Sequence, residues 1–138
     1  MPHRRRLVFD ANVIVSALLL PRSVPRQAFD KASKLGKILA SAETLRELDE
    51  VLRRPHLDRY LKEEERLRFL AVFMGDVEIV TVAASVSDCR DQKDNRYLDL
   101  AISGSAACIV TGDGDLLDMN PYRGISIINP RAFLDTDV

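Results

Sequence analysis

Apolar residues in this chain fall into short unbroken runs separated by longer stretches with helical spacing. Leu7-Val-Phe, within a strand over 6–10, ends at an acid, Asp10. Residues 12–20 are apolar on nearly every face and stop before Pro21, as expected of a buried helix. A second helix is predicted over 23–34, with Val24, Ala28, Ala32 and Leu35 near helical spacing and Pro25 in its first turn. A strand over 37–40 follows, and Ser41 then caps a helix running to about residue 53, before Pro55. Residues 63–74 form an amphipathic helix with Leu67, Leu70, Ala71 and Met74 on one stripe.

In the second half, a strand over 77–81 leads through a polar, turn-prone stretch, 85–93, into a helix over 94–103. Tyr97, Leu98, Ala101 and Ile102 face inward on that helix. A buried strand over 108–111, a Gly-Asp-Gly-Asp turn over 112–115, a short helix and a last strand over 125–128 complete the pattern. Strands alternate with helices, and the strand cores are continuous apolar runs rather than alternating ones. That combination indicates a parallel sheet covered on both faces. With no repeat, linker or low-complexity segment, the expectation is one α/β domain over 1–138.

Composition narrows the chemistry. The 138 residues are 46% hydrophobic and 30% charged, enough to fill a core and stay soluble. The longest apolar runs fall well short of the ~20 residues of a membrane span, and the start, with Leu7-Val-Phe cut off by Asp10, lacks a signal-peptide core. Cys89 and Cys108 form no C-x-x-C pair; Cys108 reads as a small buried hydrophobe, and a reducing cytoplasm fits. His3 and His56 are the only histidines. Any chemistry must therefore run mainly on carboxylates, hydroxyls and Lys/Arg. Residues 1–69 hold 15 Lys/Arg against 10 Asp/Glu, and residues 70–138 hold 5 against 11. This asymmetry suggests an acidic centre with a basic approach surface.

Ligands of open parallel sheets bind at the carboxyl ends of the strands. Asp10 and Asp113 follow two such ends, and Asp94 opens the helix that precedes the second. Helical periodicity narrows a fourth acid to Glu47 or Asp49, which border the stripe Leu45, Leu48, Leu52. Each acid also has an ordinary reading: Asp10 and Asp94 as helix caps, Asp113 and Asp115 as turn residues, Thr44-x-x-Glu47 as a capping box. Joint placement is what carries weight. Carboxylates ~6 Å apart repel by about 3 kcal/mol at an effective dielectric of ~20. Four clustered acids would approach ~15 kcal/mol, the scale of a whole domain's stability. Protons or a cation must compensate. A set of oxygen ligands without Cys or His suits Mg²⁺ or Mn²⁺.

Four segments together resemble a PIN domain, most closely the VapC-like ribonucleases, toxin components of toxin–antitoxin pairs. They are Phe9-Asp-Ala-Asn12, Leu45-Arg-Glu-Leu48 with Val51-Leu52, Asp91-Gln-Lys-Asp94 before Leu98, and Ile109-Val-Thr-Gly-Asp-Gly-Asp115. The likeness spans residues 7–130. It implies a three-layer α/β/α sandwich around a mostly parallel sheet of about five strands, and a metal-dependent endoribonuclease using Mg²⁺ or Mn²⁺. By position, the family's acidic set falls on Asp10, Glu47, Asp94 and Asp113, with Asn12 and Thr111 in supporting positions. Asp91 competes with Asp94, and Asp115 with Asp113; Gln92 stands where the family often has proline. The implied reaction is hydrolysis of RNA by metal-activated water, leaving 5′-phosphate and 3′-hydroxyl ends. A cognate antitoxin and a homodimer are the implied partners.

RNA would need cations near the acids. Arg22, Arg26, Lys31, Lys34 and Lys37 crowd one stretch, with Arg4-Arg-Arg6 and Arg53-Arg54 as further candidates. Rival readings are a receiver-like signalling domain with an acidic Mg²⁺ pocket, a haloacid-type phosphatase, or a binding domain without catalysis. The first wants adjacent acids after strand one, where Ala11 follows Asp10. The second wants an acid where Asn12 stands.

Overall fold

Leu7, Val8 and Phe9 are all buried. Successive residues of a strand point to opposite faces, so this strand must be covered on both sides. The computed structural model, which describes residues 5–136, shows how; His3 and Arg4 lie outside the described residues. Strand β1 (Arg5–Phe9) is followed by helices α1 (Ala11–Leu19) and α2 (Val24–Leu35), strand β2 (Gly36–Ala40) and helix α3 (Ala42–Leu52). A 3₁₀ turn (Pro55–Arg59) leads to α4 (Glu63–Asp76) and a two-residue strand β3 (Glu78–Ile79). A second 3₁₀ turn (Gln92–Asp94) enters α5 (Asn95–Ser103), followed by β4 (Cys108–Val110), α6 (Gly114–Leu117), β5 (Ser126–Ile128) and α7 (Pro130–Asp135).

The five strands form a parallel sheet in the order β3-β2-β1-β4-β5. Leu7, Phe9, Ile38, Cys108 and Val110 face a core built with α1 to α4 and Phe133 of α7. Val8, Leu39, Ile109 and Ile127 face a second core with Tyr97, Leu98 and Ala101 of α5 and Leu116 of α6. This is the α/β/α sandwich expected from the sequence. The chain winds outward from β1 through β2 to β3, then crosses back to place β4 on the other flank of β1. The crevice at such a reversal is where ligands of doubly wound sheets bind. It lies here between the carboxyl ends of β1 and β4.

Three local expectations change. On α4 the buried residues are Arg66, Leu70 and Phe73, while Ala71 and Met74 are exposed. The stripe is rotated because a charged residue takes an interior position: Arg66 donates to the carbonyls of Leu52 (2.7 Å) and Leu61, and to Asp58 (2.9 Å). The capping box at α3 joins Ser41 and Thr44, each accepting from the other's N–H at 3.2 and 2.9 Å, and so excludes Glu47. Helix α7, beyond the predicted elements, buries Phe133 against Phe9 (ring centroids 5.8 Å apart). Cys89 and Cys108 are free and buried.

Candidate metal centre

Asp10 follows the last residue of β1 and caps α1, accepting from the Asn12 N–H at 3.1 Å. Its other oxygen accepts from the Thr111 hydroxyl at 2.7 Å. Thr111 Oγ1 in turn accepts from the Asp113 N–H at 3.0 Å, so one side chain ties together the ends of β1 and β4. Asp113 caps α6 through the Asp115 N–H (2.8 Å). Asp91 accepts from the Lys93 N–H (3.0 Å), which tightens the turn before α5. The backbone of Cys89, buried beneath this loop, donates to Asn95 Oδ1 at 2.9 Å, and Asn95 Nδ2 donates to Gln92 at 3.3 Å.

Asp94 behaves differently. It occupies the residue before α5, yet its side chain caps nothing. The carboxyl is buried, and Oδ2 has no hydrogen-bond partner among the described residues. One oxygen each from Asp91, Asp94 and Asp113 lies within 4.8 Å of the others. Burial pushes the Asp94 carboxyl up to about 8, and the nearby carboxylates of Asp113, Asp91 and Asp10 act in the same direction. Burial also raises Asp10, opposed by the Thr111 and Asn12 hydrogen bonds and reinforced by the charges of Glu47 and Asp113.

Glu47 reaches the same neighbourhood from α3. Its Oε1 accepts from the Tyr97 hydroxyl, whose oxygen accepts from the Ala11 N–H at 3.1 Å. Arg96 stands 4.0 Å from the same carboxylate. Tyr97 is itself pushed up, by burial first and then by the charges of Asp10 and Glu47, so it keeps its proton and donates. Asp49, the other candidate on α3, pairs with Arg53 at 3.0 Å. Asp115 faces Arg90 at 3.4 Å and, like Asp10 and Glu47 of the expected ligand set, is outside the three-oxygen cluster, whereas Asp91 and Asp94 both belong to it.

An acceptor buried without a donor costs about 1–3 kcal/mol, and Asp94 Oδ2 is such an acceptor beside two more carboxylates. A hard divalent cation satisfies all three at once, and the all-oxygen donor set fits Mg²⁺ or Mn²⁺ better than zinc. Asp113 of this cluster lines a cleft of about 560 Å³ together with Asp10, Asn12, Ser16, Asn129 and Arg131, among others.

Of the basic residues picked from sequence, Arg22 is exposed just before α2 and Arg26 pairs with Asp30 at 3.2 Å. Val24 and Pro25 line the cleft, but Lys34 sits roughly 15 Å further along that helix. Lys31 is taken by the carbonyls of Phe133 and Thr136 (2.7 and 2.5 Å), and Lys37 by that of Asp76 (3.2 Å). Both act within the fold. Sequence reasoning missed Arg131, an exposed cation on the cleft wall, and the Tyr97 hydroxyl. The second left a trace: a tyrosine among inward aliphatic positions must find its hydroxyl a partner.

The family model of the PIN domain matches residues 6–115, and the chain belongs to that family. It is 33% identical to an uncharacterized protein of Methanocaldococcus jannaschii, MJ1680, over 94% of this chain and 90% of that protein. Among solved structures, it is similar in fold to a chain of VapBC2 from Rickettsia felis, bound there to a DNA fragment from its promoter. That match has a TM-score of 0.61 and 17% identity, over 90% of this chain and 98% of that one. PAE2754 from Pyrobaculum aerophilum matches with a TM-score of 0.61 and 16% identity, over 96% of this chain and 88% of that one.

Proposed function

We propose that this protein is a divalent-metal-dependent endoribonuclease. The observation that carries the reading is the buried, partnerless Asp94 Oδ2 inside a carboxylate cluster at the crossover of the sheet. Asp10, Asp91, Asp94 and Asp113 would hold Mg²⁺ or Mn²⁺. A divalent ion there supplies an acidified water for attack on phosphorus and positive charge against the transition state. Glu47, held through Oε1 by Tyr97, offers its other oxygen to orient that water and accept its proton. Thr111 favours the ionised form of Asp10 against the effect of burial and aims its carboxylate. Arg131 on the cleft wall is suited to contact the substrate backbone. Water oxygen bonds to phosphorus, the P–O3′ bond breaks, and the departing 3′-oxygen takes a proton, leaving 5′-phosphate and 3′-hydroxyl ends.

The fold likeness to a VapBC2 chain supports a toxin role with a protein antitoxin as partner. Exposed Val72, Met74 and Ile79 offer apolar surface to a second copy. Buried, unpaired cysteines fit a reducing cytoplasm, and among the described residues no helix is long and apolar enough to cross a membrane.

The test is incubation of a labelled structured RNA with Mn²⁺, comparing wild type with Asp94→Asn. Wild type should cut, and the variant should lose more than the roughly 10–100-fold typical of disturbing a metal's outer shell. Equal cutting by both would point to a contaminant and end the proposal.

A further inference from the structure

Glu43 and Glu47 stand one helical turn apart on α3, on the same face, where two like charges repel. Arg96, from α5, lies across the pair. Its Nε is 3.8 Å from Glu43 Oε1, and its Nη1 is 4.0 Å from Glu47 Oε1. The same Nε donates to the Lys93 carbonyl at 2.8 Å, which fixes the guanidinium against the backbone of the preceding turn. The Arg96 side chain is 20% exposed and that of Glu47 24%. A cation so far withdrawn from water is weakly screened and acts strongly on its neighbours.

Tyr97, the next residue of α5, donates to the same Glu47 oxygen. Consecutive residues of one helix thus converge on one carboxylate, whose charge also reaches Asp10. The acids of the centre therefore divide into two kinds. Asp91, Asp94 and Asp113 bring three oxygens together, with Asp94 Oδ2 lacking a hydrogen-bond partner among the described residues. Glu47 already faces a fixed positive charge and a phenol donor. Two-metal hydrolases hold their ions roughly 3.5–4 Å apart, clamped between shared ligands. A second dication on the Glu47 side would have to displace the Tyr97 hydroxyl and approach the charge of Arg96.

We propose that Arg96 is a positioning residue that takes the electrostatic place of a second metal: its guanidinium, set against Glu47, restricts the centre to one divalent ion among Asp91, Asp94 and Asp113. The inference rests on the metal-dependent reading of this centre and adds the number of ions. A guanidinium keeps its proton throughout the pH range in which proteins fold, so the charge is present with or without substrate. Glu47 is thereby reserved for the attacking water rather than for a metal.

The experiment titrates the full chain with Mn²⁺ and follows free and bound ion by electron paramagnetic resonance, without RNA. Wild type should bind one Mn²⁺ per chain. Arg96→Ala should bind a second at least about tenfold more tightly than wild type does, with spin coupling between the two ions. Arg96→Lys should stay at one. Adding Glu47→Gln to Arg96→Ala should remove the second ion, while Glu47→Gln alone should leave the first in place. Where Arg96→Ala fails to fold by thermal melting, Arg96→Gln carries the same expectation with more of the stem retained. Two ions of similar affinity in wild type, or a single ion in the folded Arg96→Ala or Arg96→Gln protein, overturns the proposal. So does loss of the first ion in Glu47→Gln, which would make Glu47 a ligand. Wild type that holds one Mn²⁺ and leaves RNA uncut defeats the hydrolase reading and leaves the role of Arg96 standing. Wild type that cuts RNA with two bound ions defeats the role of Arg96 alone, and wild type that binds no Mn²⁺ defeats both.

Discussion

Thr111 donates to Asp10 Oδ2 at 2.7 Å, although the two residues are 101 positions apart in sequence. The contact exists because β1 and β4 are paired neighbours, with Phe9 opposite Val110, and because each strand is followed directly by a polar residue. It joins the two strand ends beside the acidic cluster of Asp91, Asp94 and Asp113.

Replacing Thr111 with Val keeps the shape and removes the donor. The buried Asp10 oxygen is then unsatisfied, and stability should fall by about 1–3 kcal/mol. A urea titration in EDTA at neutral pH checks this, and Thr111→Ser should recover most of the loss. The Thr111 hydrogen bond lowers the Asp10 pKa, so in Thr111→Val the response to Mn²⁺ should also move to higher pH. An unchanged midpoint would mean that Asp10 finds a replacement donor in solution.

Asp94 makes the ion-free protein sensitive to alkali. Its carboxyl, ordinarily near 3.8, is raised to about 8 in the fold, so the folded state binds the proton more tightly than the unfolded chain. The contribution of protonated Asp94 is fully present below about pH 4 and is lost as pH rises toward and through 8. Asp10, raised as well, works in the same direction. Thermal melts in EDTA should therefore fall across this range, and the stabilisation by Mn²⁺ should be larger near pH 8 than near pH 5.5. Asp94→Asn should flatten the first trend and remove most of the second. A Mn²⁺ shift equal at both pH values would contradict the cluster as a proton-competing cation site.

Tyr97→Phe tests the link between α1, α5 and Glu47. The hydroxyl accepts from the Ala11 N–H and donates to Glu47; its loss strands one donor and frees one carboxylate. A stability loss of about 1–2 kcal/mol is expected. Under the proposed role of Glu47 in orienting the attacking water, RNA cleavage should fall through kcat with KM little changed. A variant with lower stability and unaltered kcat would reduce Tyr97 to a packing role.

Arg66 and Arg68 lie two positions apart on α4 and should respond very differently. Arg66→Met removes the donor to several buried carbonyls and should cost about 3 kcal/mol or more in urea denaturation. Arg68 pairs with Glu64 on the surface, its side chain 69% exposed, and Arg68→Ala should stay within about 0.5 kcal/mol. Equal effects would mean that the carbonyls around Arg66 are met by water instead.

Most of the fold was legible because its signals are local. Leu7-Val-Phe and Cys108-Ile-Val are unbroken apolar runs, and only a strand buried on both faces accommodates them; the helices between them then have to be crossovers. Pro21, Ser23 and Ser41 marked boundaries close to those found, since a missing N–H or a hydroxyl that caps acts within one turn. Reading failed where a residue's partner lay far along the chain. Arg66 was not among the inward positions expected of α4, because nothing nearby in sequence shows that Leu52, Arg54 and Leu61 present their carbonyls to it. Lys31 looked like an RNA contact because helix α7, whose carbonyls it binds, lies a hundred residues away.

The same division runs through the acid centre. Sequence determined that acids follow the ends of β1 and β4 and precede α5, because a parallel sheet delivers those loops to one edge whatever their detail. Tertiary structure alone decided that Asp91 stands with Asp94 and Asp113, that Asp115 turns to Arg90 and Asp49 to Arg53, and that Tyr97 holds Glu47. Those choices depend on strand order and on where each carboxyl points after packing. Such quantities come from contacts spanning tens of residues, on which the spacing of apolar positions carries no information.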